Sequence, residues 1–67
     1  MSASGYVHLE DVDILKETDS AFLLLIDDGE KVWVPKSQIA DPDGYAEGDE
    51  GVSISITEWI ADQKGIG

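Results

Sequence analysis

Apolar residues fall at every second position along much of this chain, the spacing of β-strands that bury one face. In Tyr6 to Thr18, Val7 and Leu9 lie at odd positions while Val12 and Ile14 lie at even ones. A bend or bulge near Glu10 and Asp11 would reconcile the two phases. The next stretch, "AFLLLIDDGEKVWVP", holds two apolar runs joined at Asp28-Gly29, a dipeptide suited to a type I′ hairpin turn. With Asp28 and Gly29 as the two loop residues, Leu25 lies opposite Val32 and Leu23 opposite Val34, while Leu24 lies opposite Trp33 and Ile26 opposite Lys31. Phe22, Leu24, Ile26 and Trp33 then share a second face that also needs shelter. Pro35 ends easy pairing of the second strand.

A single turn is expected around Ser37 to Ile39, followed by a loop over 40–51. "VSISI" alternates, with Val52, Ile54 and Ile56 inward and Ser53 and Ser55 outward. Thr57 is suited to N-cap a helix over Glu58 to Lys64, with Glu58 at the favourable end of the dipole and Gly65 as terminator. Trp59 and Ile60 are its expected anchors. The elements predict an α+β fold, mainly β: a small twisted antiparallel sheet of three or four strands, as a meander or a partial barrel, with one short C-terminal helix. They make one domain over 1–67, with residues 1–5 flexible and the strand order open.

Composition sharpens this picture. A chain of 67 residues without cysteine has neither disulfide nor thiolate metal site, so apolar packing must hold it together, helped by self-association if any. The N-terminal stretch has no basic or apolar leader pattern, and the longest apolar run, Ala21 to Ile26, is too short to span a bilayer. The expectation is a soluble cytoplasmic protein.

Charge is the extreme feature. Fifteen Asp and Glu oppose four Lys and no Arg, a formal net charge of −11. Nucleic acid and anionic membranes are repelled by such a field, whereas a cation-rich protein is attracted. Direct nucleic-acid binding is excluded on the same ground, because affinity for phosphates comes mainly from Lys and Arg.

The segment "ADPDGYAEGDEG", Ala40 to Gly51, concentrates five carboxylates. As a calcium loop it fails: Asp41 and Asp43 suit the first and third positions, but Tyr45 stands at the fifth and Ala46 where glycine is required. What remains is a solvated connector, a looser cation site, or part of a recognition surface. Catalysis has little to work with, since there is one histidine, His8, and no Cys or Arg. No enzyme activity, cofactor or resident metal is expected.

Carboxylates two residues apart on a strand lie roughly 6.5 to 7 Å apart, against a phosphate every roughly 3.4 Å along each DNA strand. Asp11 and Asp13 have that spacing. Together with Asp28 and Glu30 at the hairpin and Asp41, Asp43, Glu47, Asp49 and Glu50 in the loop, they form the expected contact set for a basic partner. Trp33 and Trp59 read as core or boundary residues; the alternative is that one anchors an interface with Tyr6 or Tyr45 nearby.

Val12 to Ile39, followed by "ITEWIADQKGI" at Ile56 to Ile66, resembles small acidic proteins of bacteriophages, prophages and mobile elements. The "VWVPKSQI" block at Val32 to Ile39 and the Trp-containing helix carry the likeness. Proteins of this size and charge are also similar to anti-CRISPR inhibitors, several of which imitate DNA. The resemblance implies a stoichiometric inhibitor, as a monomer or weak homodimer, of a host nucleic-acid-binding surveillance complex of type I. The alternative function is a small structural or adaptor module that assembles through the Trp33 face or a sheet edge, its acidity serving solubility.

Overall fold

The computed structural model describes residues 5–26 and 29–66. Four antiparallel strands, β1 (Tyr6–Glu17), β2 (Ala21–Leu25), β3 (Lys31–Pro35) and β4 (Val52–Thr57), form one sheet in the order β3-β2-β1-β4, and α1 (Glu58–Lys64) follows β4 directly. This is the α+β, mainly β architecture expected from the alternation. No described helix is long and apolar enough to cross a membrane.

The change of phase in β1 is a bulge. Asp11 has φ +56°, and the β1–β4 register slips between Leu9↔Ile54 and Val12↔Val52. A left-handed residue inserts one extra position, so Val7 and Leu9 before it and Val12 and Ile14 after it all turn toward the same core. Left-handed backbone disfavours a Cβ, most of all a branched one. Asp11→Gly is therefore expected to keep or slightly raise the melting temperature, and Asp11→Val to cost about 1–2 kcal/mol. Equal stability of the two variants in a thermal melt would contradict this origin of the bend.

The bulge also divides the work of β1. Its first half pairs with β4 from Tyr6↔Thr57 to Leu9↔Ile54, and its second half pairs with β2 from Asp13↔Leu25 to Glu17↔Phe22. A second irregularity at Leu15, between the Ile14↔Leu24 and Lys16↔Leu23 pairs, adds twist. Beyond β3 the chain makes a 3-10 turn over Lys36–Gln38, one residue earlier than expected, and reaches the outer edge of β4. There Ile39 bridges Ile56 and the Ala40 N–H donates to the Ser55 carbonyl at 2.9 Å. Because Ile39 is reached from the opposite edge strand through only the three residues of that turn, this contact curls the sheet into a partial barrel.

The β2–β3 hairpin corrects the expected register. Leu24 lies opposite Val32, Phe22 opposite Val34, Leu23 opposite Trp33, and Leu25 opposite Lys31. The Ile26 N–H donates to the Glu30 carbonyl at 2.9 Å, so three residues form the loop, closed by Gly29 at φ +78°. A loop longer by one residue slides the register by one and changes which residues share a face. Phe22, Leu24, Val32 and Val34 thereby meet on the buried side, and Leu23, Leu25 and Trp33 turn outward. The two-residue loop would have put Trp33 on one face with Phe22 and Leu24.

The core joins these four residues to Val12, Ile14, Ile39, Ile54, Ile56, Ile60 and Ala61. Val52, Ile54 and Ile56 face inward as their alternation predicts. Helix α1 has the expected limits: the Thr57 hydroxyl accepts the Ile60 N–H at 3.2 Å and Gly65 is left-handed at φ +70°. The same hydroxyl donates to Gln38 Oε1 at 2.6 Å, tying the cap to the 3-10 turn. The anchors of α1 are Ile60 and Ala61, not Trp59, which is 59% exposed. The cap sets the helical phase, and at that phase the second helical position points away from β4. Residues 1–4 of the segment expected to be flexible lie outside the described residues; Gly5 is tied, its carbonyl accepting the Glu58 N–H at 3.1 Å.

Candidate interaction surface

The acidic loop runs along two strands. Its first half follows the outer edge of β4, with a short 3-10 turn over Pro42–Gly44 entered through Asp41, left-handed at φ +55°. The Tyr45 hydroxyl fixes this half by donating to the Ser53 carbonyl at 2.6 Å. The second half crosses to β1. After Val12↔Val52, pairing with β4 stops, and the edge of β1 away from β2 is left with unmatched amides and carbonyls. Loop residues meet that need: the Gly48 N–H donates to the Ile14 carbonyl and the Ile14 N–H to the Asp49 carbonyl, each at 2.8 Å.

Three carboxylates, Asp13, Glu47 and Glu17, take part in the same attachment, and a fourth, Asp49, braces the loop itself. Asp13 Oδ1 accepts the Gly51 N–H at 2.9 Å, Glu47 Oε1 accepts the Glu17 N–H at 3.0 Å, and Asp49 Oδ2 accepts the Ala46 N–H at 3.0 Å. The Glu47 N–H in turn donates to Glu17 Oε1 at 3.4 Å. The segment is therefore a tethered strap along β1, more ordered than a solvated connector.

The expected contact residues divide accordingly. Asp13, Glu47 and Asp49 are drawn together along the second half of β1, with Asp11 and Glu50 beside them in the chain. Asp41 and Asp43 lie on the far side of β4. Glu30 sits at the hairpin end, which the β1–β2 register directs toward the Asp11 end of that same half-strand. Asp28 lies outside the described residues. Regular two-residue spacing of Asp11 and Asp13 does not survive, because Asp11 occupies the bulge. Glu17, absent from that set, belongs with the strap; its interplay with Glu47 spans thirty residues of sequence and leaves no local signal.

Among the described residues there is one salt bridge, Lys36 Nζ to Glu17 Oε2 at 2.8 Å, and Lys36 Nζ also lies 4.9 Å from the centre of the Phe22 ring. The lysine hydrogen bond, aided by the Glu47 N–H, lowers the Glu17 pKa from its ordinary 4.5. A depressed carboxyl stabilises the fold above the unfolded pKa, and that contribution is lost as pH falls through the folded value. Lys36→Gln is expected to return the Glu17 titration toward 4.5, which carboxyl NMR across the acid range measures directly. An unmoved midpoint would remove Lys36 as the cause.

The aromatic residues depart from expectation. Trp33 is 43% and Trp59 59% exposed, and Tyr6 is 50% exposed, so neither indole fills the core. Trp33 lies on the outer face of the β1–β2–β3 sheet with Leu23 and Leu25, flanked by Lys16 and Lys31. Lys31 and Trp33 share a face by strand alternation, a signal present in "KVW" once the register is known. His8 is exposed, with Nδ1 2.6 Å from the Ser55 hydroxyl. The chain matches no protein-family model, no curated protein and no solved structure.

Proposed function

We propose that this protein is a stoichiometric inhibitor whose anionic surface occupies the nucleic-acid site of a basic partner, a host CRISPR surveillance complex of type I. The observation that carries the reading is the strap: Asp13 accepts the loop's Gly51 N–H, Glu47 accepts the Glu17 N–H of β1, and Asp49 accepts the Ala46 N–H within the loop, with Asp11 and Glu50 adjoining. Carboxylates on a hydrogen-bonded frame lose less entropy on docking than those of a free loop. With fifteen acids against four lysines, most of this charge has no internal counterion, and lysine- and arginine-rich grooves attract such a surface.

The test is target-DNA binding by a purified type I surveillance complex, with and without the protein, over a range of salt. Inhibition is expected to saturate at a fixed ratio and to weaken steeply as ionic strength rises. Target binding unchanged at excess protein would end this assignment.

A further inference from the structure

The outer face of the β1–β2–β3 sheet differs from the rest of the surface. Residues directly opposite in antiparallel strands present their side chains on one face, and the registers define two rows there. One reads Asp13, Leu25, Lys31, and the other Lys16, Leu23, Trp33. Each row has an apolar centre. In the first, a carboxylate and an ammonium stand at opposite ends; in the second, an ammonium and an indole do.

We infer that this face pairs with a second copy of the same chain about a two-fold axis running along β2. Such an axis exchanges β1 and β3 between copies and keeps each row in place. Lys31 then faces Asp13 of the other copy, Lys16 faces the Trp33 ring of the other copy, and Leu23 and Leu25 meet their own counterparts. The contacts are reciprocal, as an isologous interface requires. Sheets stack about 10 Å apart with strands aligned to within about 30°, a gap that lysine and tryptophan side chains bridge from both sides. An ammonium over an indole face is a favourable cation–π pair. This face carries two of the four lysines of the chain, so it is also where two copies repel least. Asp13, whose Oδ1 also accepts the Gly51 N–H of the strap, is shared with this interface, while Glu47, Asp49 and Glu50 lie along the strand edge and stay open in the dimer.

The net −11 on each copy opposes the encounter, so self-association should tighten as salt rises, the reverse of the response expected for the basic partner. Sedimentation velocity should show the mass doubling from 7.2 kDa as the protein is concentrated to about 1 mM. In a Trp59→Phe background, the Trp33 emission should shift to the blue over the same range. Trp33→Ala, confirmed folded by circular dichroism, should raise the dimer Kd about tenfold or more. Lys31→Glu should weaken the dimer and Lys31→Glu with Asp13→Lys should recover it, which a general loss of stability would not do. A monomer at every concentration and salt would overturn the inference, as would a dimer indifferent to Trp33→Ala or a double variant no tighter than Lys31→Glu alone.

Discussion

Phe22→Ala is expected to leave the domain largely unfolded at 25 °C. The ring is fully buried, lies opposite Val34 and Glu17 in the two registers, and sits beneath the Lys36 ammonium. Truncating a buried phenylalanine costs about 3–5 kcal/mol. At about 0.05–0.15 kcal/mol per residue, a domain this small holds only about 3–10 kcal/mol in total. The loss is comparable to the whole stability. Thermal unfolding followed by circular dichroism decides the matter, and a melting temperature lowered by less than about 10 °C would contradict the placement of Phe22. The same truncation at Trp59, mostly exposed, is expected to cost under about 1 kcal/mol. That contrast separates the buried aromatic from the exposed one.

The second large effect is electrical. Glu30→Lys, Asp43→Lys and Glu50→Lys combined are expected to abolish inhibition of the surveillance complex while leaving the fold intact, since all three residues are exposed and none of their carboxylates accepts a hydrogen bond among the described residues. Exposed ion pairs are worth up to about 1 kcal/mol each. Replacing three attractions by repulsions should weaken binding by about 3 kcal/mol or more, about a hundredfold in Kd. Each single reversal should cost tenfold or less. Competition binding with the triple variant measures this, and an unchanged Kd would sink the electrostatic reading. The three sites lie on different parts of the surface: Glu30 at the hairpin end, Asp43 beyond β4 and Glu50 in the strap. Comparing the single variants therefore apportions the loss among these three parts.

Asp11, Asp13, Glu47, Asp49 and Glu50 could be named from composition, because clustered acids are visible in any reading of the chain. Their arrangement could not. The strap depends on Ile14 meeting Gly48 and Asp49, a contact made only after β4 has paired with the first half of β1 and left the second half short of partners. Regular spacing of Asp11 and Asp13 was the expectation, and the bulge that the alternation itself required removed it. Trp59 went astray for a related reason: a helix of seven residues is too short for a hydrophobic period to announce its buried side.

What the chain settles locally is the part where neighbouring residues suffice. Thr57 and Gly65 bound the helix because an N-cap hydroxyl and a left-handed glycine act within one turn. The shift from odd to even apolar positions locates the bulge because strand alternation has only two phases. Tertiary structure alone decides the hairpin register, since Asp28-Gly29 can close a loop of two or three residues with Gly29 left-handed in both. Burying Phe22 and Leu24 with Val32 and Val34 selects the longer loop. That one-residue choice, made by packing across the whole sheet, also turns Trp33 out of the core to the exposed face.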